Sequence, residues 1–251
     1  MAVLKRRLQK LFPGRRRLLS WLLTLFVCCA VGDGLYLAWL WPSWGALKTG
    51  PVPQSQFITD YEARQRADKS LPKLKWYPVA ASDLPLKLQH AVIVAEDGSF
   101  YRHHGVDLSA IAEAVDYNLA RGKLSVGAST ISQQTVKNLF LSGARTPLRK
   151  WHELVLTWAM ERNLTKNRIL TLYLNIAQLG EGVFGAEAAA RVYFNGHAES
   201  LTLDQCVSLA ASLPSPKHHN PATSTDFFVK RKQKIYEFLK ERGWIDNSPD
   251  T

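Results

Sequence analysis

The feature that most constrains this chain is a run of 24 residues, Leu18 to Trp41, that carries one charge, Asp33. As a helix it would span ~36 Å, enough to cross a bilayer core. A central Asp costs about 2.5–3.5 kcal/mol on the insertion scale, and each of eleven Leu, Phe and Val residues returns about 0.3–0.6 kcal/mol, so insertion wins. Before the run stand Lys5, Arg6, Arg7, Lys10, Arg15, Arg16 and Arg17 with no acid. That asymmetry places the N-terminus in the cytoplasm, and Trp39, Trp41 and Trp44 fit an aromatic belt at the far interface. A cleaved signal peptide shares the basic start and apolar stretch, but residues 34–41 extend the run beyond what an h-region needs. Either way, residues 42–251 lie outside the cytoplasm.

Charge then reads differently. The whole chain has 32 Lys+Arg against 21 Asp+Glu, a formal +11 that invites nucleic acid, anionic membrane or a phosphorylated substrate. Seven of those charges belong to the topology signal. Residues 42–251 hold 25 basic and 20 acidic side chains, and the topology keeps them away from nucleic acid. Cys28 and Cys29 fall in the apolar run, leaving Cys206 alone in the exported part, as a buried small apolar side chain with no disulfide partner.

The organisation expected is a basic tail over 1–17, a membrane helix over 18–41, a Pro-rich stalk over 42–75 with one extended piece near Leu74–Val79, and a mainly α domain over 76–251. Pro85 opens a helix to about Asp97, Asp107 caps 108–121 with Gly122 ending it, and Ser129 caps 130–140. Further helices follow over Pro147–Asn163, Lys166–Leu179 and Ala186–Tyr193, over a capping-box segment from Thr202 to Leu213, and over Asp226–Arg242. No run alternates enough to demand a sheet.

Four clusters carry chemistry. Glu96-Asp97 ends an apolar helix, and Phe100, His103, Gly105 and Asp107 follow. A carboxylate there is half-buried, with its pKa raised toward the range of a working general acid or base. Surface acids would be uncomfortable at that helix C-terminus. Gly127 to Asn138 places Thr130, Gln133, Gln134, Lys137 and Asn138 on one half of a helix whose Gly-rich entry offers N–H groups to an anion. A solvated helix face is the plainer reading, but three amides, a hydroxyl and a cation suit a sugar or phosphate. Arg149, Lys150 and Glu153 share a face at i,i+3 and i,i+4, as an ordinary ion pair or as a cationic phosphate site with a second carboxylate. Lys166 to Asn175 supplies core residues, and Gly180, Glu181, Gly182 and Gly185 form a loop that could line a cleft. His103, His104, His218 and His219 have no metal-ligand spacing, and no G-x-S-x-G elbow is present.

In this order the clusters resemble the peptidoglycan glycosyltransferases of glycosyltransferase family 51. E-D-x-x-F-x-x-H-x-G matches Glu96, Asp97, Phe100, His103 and Gly105. G-x-S-T-I-x-Q-Q-x-x-K-N matches Gly127 through Asn138. R-K-x-x-E matches Arg149, Lys150 and Glu153, and K-x-x-I-L-x-x-Y-L-N matches Lys166 through Asn175. Thr171 and Cys206 depart from the pattern away from the presumed catalytic positions. The resemblance covers about residues 76–222, and the chain looks like a monofunctional member.

The resemblance implies a lysozyme-like α fold beside the membrane helix. It also implies lipid II and a growing glycan chain as substrates, and inverting β-1,4 transfer with release of undecaprenyl diphosphate. The setting implied is the bacterial inner membrane with a periplasmic domain, and other cell-wall synthesis proteins are the partners it allows. Glu96 would be the general base. Glu153 would stand by the diphosphate, holding cations or a divalent metal (Mg or Mn), although the sequence requires no cofactor. Lys137, Arg149 and Lys150 would stabilise the leaving group, while Ser129, Thr130, Gln133, Gln134 and Asn138 would bind sugar or phosphate. Asp97, Phe100, His103 and Gly105 would support the Glu96 loop. A lytic transglycosylase or lysozyme-like enzyme and a non-catalytic wall scaffold remain the alternatives.

Overall fold

The computed structural model describes residues 13–123 and 127–245, in two compact units, Met1–Pro42 and Ser43–Thr251. Of the expected basic tail, residues 1–12 lie outside the described residues. In the first unit, α1 (Pro13–Leu40) is one continuous helix, and its Arg17–Leu40 stretch is long and apolar enough to cross a membrane. Leu18, Leu19, Trp21 and Phe26 stand exposed on it, which lipid rather than water would suit.

The second unit starts earlier than expected. Residues 42–75 are not a stalk: they form α2 (Trp44–Thr49) and α3 (Gln56–Ala67), both packed into the unit. Ser55 caps α3 by accepting from the Ile58 N–H at 3.2 Å. Phe57, Ile58 and Tyr61 then fall on one side, and Ile58 and Tyr61 form an apolar cluster with Phe184. The prolines that suggested a linker only punctuate these helices. Trp44, expected in an interfacial belt, is instead buried edge-on against Phe140, with ring centroids 6.1 Å apart.

The remaining helices are α4 (Leu86–Glu96), α5 (Leu108–Arg121), α6 (Ile131–Phe140), α7 (Pro147–Asn163), α8 (Lys166–Ile176), α9 (Ala186–Phe194), α10 (Leu203–Ser212) and α11 (Asp226–Glu241). The mainly α class holds, and several caps act as expected. Asp107 accepts from the Ala110 N–H, Gly122 ends α5 in the left-handed region, and Thr202 and Gln205 form a capping box. Two groups of helices pack together: α4 with α10 and α11, and α6 with α7 and α8.

A small sheet was announced only in part: the extended piece expected near Leu74–Val79 is its first strand, while its other two strands were not foreseen. β1 (Lys75–Trp76), β2 (Gln178–Gly180) and β3 (Val183–Phe184) lie in the order β1-β3-β2. β1 pairs parallel with β3, Trp76 opposite Phe184, and β2 pairs antiparallel with β3. Strands of two or three residues are too short for alternation to show. The sheet also ends α8 at Ile176 rather than Leu179, because the Ala177 carbonyl turns out to accept from the Gly185 N–H at 2.8 Å. Gly185 (φ 80°) is confined to glycine there, since a Cβ would meet the Asn175 carbonyl oxygen at 2.4 Å.

Candidate active site

α4 buries Leu88, Ala91, Val92, Ile93 and Val94, which drives its C-terminal end, and with it Glu96, into the protein. The Glu96 side chain is 12 % exposed. One carboxylate oxygen accepts from Gln134 Nε2 of α6 at 2.8 Å, and the other from Arg231 Nη2 of α11, also at 2.8 Å. Burial pushes the Glu96 carboxyl above the usual glutamate range, while Arg231, Gln134 and Lys137 pull the other way. The result is a carboxylate with raised proton affinity, the property a general base near neutral pH requires.

Its neighbour Asp97 is buried and structural. Both of its oxygens face His103 Nε2, at 2.9 and 3.0 Å, and one also accepts from the Ile131 N–H at 2.9 Å. His103 Nδ1 accepts from the Gly105 N–H at 3.1 Å, which leaves Nε2 as the protonated nitrogen. The Gly105 carbonyl accepts from Thr130 Oγ1 at 2.7 Å. Gly105 adopts φ 96°, and a Cβ there would meet Thr157 Cγ2 at 2.8 Å. Phe100 is fully buried with Lys166 Nζ 4.6 Å from its ring centre. The first motif is thus a loop stapled to the start of α6.

The second motif divides. Thr130, not Ser129, caps α6, in a capping box that takes up both the Thr130 and the Gln133 side chains. Thr130, Gln133 and Asn138 are buried, and of the three only Thr130 reaches the lining of a cleft, so the continuous ligand-facing wall expected of them is broken up. Ser129, Gln134 and Lys137 do face open space. They line a cavity of about 340 Å³ together with Phe57, Gly143, Ala144, Arg145, Arg149, Lys150 and Glu153.

The third motif supplies the far wall. Thr146 accepts from the Arg149 N–H and Pro147 occupies the first turn of α7, so Arg149, Lys150 and Glu153 project together. The buried Glu153 accepts from Arg149 Nη1 at 2.6 Å and from Lys150 Nζ at 2.5 Å. Lys150 Nζ also lies 3.5 Å from Ser129 Oγ. Lys137 is held below the usual lysine range, first by burial and then by Arg149 and Lys150, against the opposing pull of Glu153 and Glu96. Four cations therefore face one carboxylate across this cavity, an arrangement that suits a multiply charged anion such as a diphosphate.

A second cleft, of about 250 Å³, lies by Glu96 and Asp97 and is lined also by Ser99, Asp107, Glu113, Ser129, Thr130 and Arg242. Ser129 lines both spaces. The loop of Glu181 does not join either: Glu181 pairs with Lys217 at 2.7 Å, and its glycines shape the β2–β3 hairpin. A divalent metal at Glu153 does not fit the donor set, since both of its oxygens are taken by Arg149 and Lys150. Among the described residues no group of three or more His, Cys, Asp or Glu is placed to hold a metal.

Four contributors were not foreseen. Arg231 carried no signal beyond a basic amphipathic helix. Arg145 and Arg242 belong to no motif, and Phe57 sat in the presumed stalk. Its pattern with Ile58 and Tyr61 was the one legible hint.

Residues 66–240 match the Transglycosylase family model. Proteins similar to this chain include the biosynthetic peptidoglycan transglycosylase of Nitrosospira multiformis, 42 % identical over 172 residues, 68 % of this chain and 74 % of the relative. That of Bordetella pertussis is 40 % identical over 222 residues, 86 % of this chain and 89 % of the relative. That of Acinetobacter baylyi is 37 % identical over 204 residues, 80 % and 88 % respectively.

Proposed function

This chain belongs to the transglycosylase family and is a peptidoglycan glycosyltransferase, and from that premise we propose that it extends glycan strands from lipid II with Glu96 as the base. The observation that carries the reading is the juxtaposition of a buried carboxylate of raised proton affinity with a cavity walled by cations, the two joined through Gln134 and Ser129. The acceptor sugar's 4-hydroxyl lies against Glu96 and gives up its proton as its oxygen bonds to C1 of the growing chain's terminal sugar. The C1–O bond to the diphosphate breaks on the opposite face, inverting the anomeric centre. The electron pair leaves on undecaprenyl diphosphate, whose growing charge meets Lys137, Arg149 and Lys150, with Arg145 beside them. Glu153 fixes the directions of Arg149 and Lys150. Charge neutralisation in these steps is supplied by side-chain cations.

A lipid-bound substrate accounts for α1. The seven basic residues before the apolar run support an N-terminus in the cytoplasm and a periplasmic domain on the bacterial inner membrane. A lytic enzyme would need the carboxylate but not the cationic cavity, and a scaffold would need neither. The test is purified full-length protein in detergent given lipid II in one reaction and finished peptidoglycan in another. The reading expects polymer with one undecaprenyl diphosphate released per disaccharide added, and intact peptidoglycan. Cleavage of the finished polymer without chain growth would overturn it.

A further inference from the structure

Arg231 lies 135 residues from Glu96 in sequence, on a helix that carries none of the motif residues. Its Nη2 donates both to a Glu96 oxygen at 2.8 Å and to the Ala95 carbonyl at 3.0 Å, so the guanidinium grips the end of α4 at two points. Its Nε is buried and makes no hydrogen bond among the described residues, so its polar grip on α4 runs through Nη2. The other Glu96 oxygen is fixed from the opposite side by Gln134 Nε2, and the Gln134 amide is itself oriented, because its oxygen accepts from Tyr173 Oη of α8 at 3.0 Å. A carboxamide can turn end for end, and the Tyr173 hydroxyl selects the orientation that shows Glu96 a donor.

We propose that Arg231 is a positioning residue for Glu96: with the Gln134–Tyr173 pair it clamps both carboxylate oxygens and keeps the group ionised in its buried seat. The charged and titratable groups around Glu96 are Arg231 on α11, Lys137 on α6 and Tyr173 on α8, with Asp97 next in sequence, and Asp107, Glu113 of α5 and Arg242 lining the same cleft. Of these, Arg231 is the one in direct ionic contact. Burial works against ionisation, and Arg231 is the largest of the forces opposing it. The closing of α11 over α4 therefore completes the site chemically as well as covering it. Its consequence for turnover rests on Glu96 being the base.

The test reads Glu96 directly. Full-length protein in detergent, labelled with 13C at the glutamate δ-carbon, gives a Glu96 resonance identified by its loss in Glu96→Gln. Its titration is followed in wild type, Arg231→Gln, Arg231→Lys and Tyr173→Phe, beside the pH profile of lipid II polymerisation. Losing an opposite charge at this distance moves the Glu96 midpoint up by roughly one to three pH units. Arg231→Lys holds most of the wild-type value, and Tyr173→Phe moves the midpoint the same way by less. Should Arg231→Gln fail to fold, the Lys and Phe variants decide. A Glu96 midpoint unmoved in Arg231→Gln, or in Tyr173→Phe where only that variant folds, overturns the proposal. A midpoint that moves while the acid limb of the rate stays put upholds Arg231's hold on Glu96 and instead removes Glu96 as the base.

Discussion

Replacing Asp97 by Ala removes a carboxylate whose side chain is 2 % exposed and that serves two donors, His103 Nε2 and the Ile131 N–H. Both donors are buried in the folded protein. An orphaned buried donor costs about 1–3 kcal/mol, more where the lost acceptor was charged, so the pair costs about 4 kcal/mol. For a unit of this size each kcal/mol shifts Tm by about 2–4 °C, which gives a drop of about 8–16 °C. Asp97→Asn keeps one carbonyl oxygen and turns an NH2 toward the other donor, so about half that loss is expected. Thermal unfolding of the detergent-solubilised protein, followed by circular dichroism at 222 nm, measures both variants. His103→Ala combined with Asp97→Ala should cost less than the two singles added, because the same contact is lost in each. An Asp97→Ala midpoint within about 2 °C of wild type would refute the claim that this carboxylate staples the Glu96 loop to α6.

Lys137→Met keeps the side chain's length and removes its charge from the cavity. Polymerisation should fall by about 10²–10³-fold, as for loss of one donor to a developing anion, with little change in Tm. The pH profile should be a bell narrowed from both sides. Glu96 must be ionised to accept a proton, so activity rises as pH climbs through its raised pKa, and Lys137 must be protonated, so activity falls as pH climbs through its lowered one. A profile whose acid limb sits at the ordinary glutamate value would count against the buried seat of Glu96. Gly185→Ala forces a Cβ against the Asn175 carbonyl at a positive φ and should cost about 1–3 kcal/mol, read as a lower Tm.

How much of this was legible depends on range. Caps and helix starts are local. Asp107, Gly122, Thr202 and Pro147 announce their roles within four residues, and the structure keeps them. The face of α6 was misjudged because helical periodicity says which residues lie together, not which side meets the core. The capping box drew Thr130 and Gln133 inward and left Gln134 and Lys137 for the cavity. The stalk reading failed because prolines at 51 and 53 outweighed the short Phe57, Ile58, Tyr61 pattern, whose partner Phe184 lies far along the chain. Arg231 is the extreme case: one basic residue among several on α11, singled out only when the fold sets it beside Glu96.

The most direct measurement is lipid II polymerisation by Glu96→Gln, a change that keeps the shape of the side chain and removes its capacity to take a proton. The account predicts a loss of chain growth of at least about 10²-fold, with lipid II binding retained and Tm close to wild type. Chain growth within about threefold of wild type, well short of what loss of a general base costs, would contradict it.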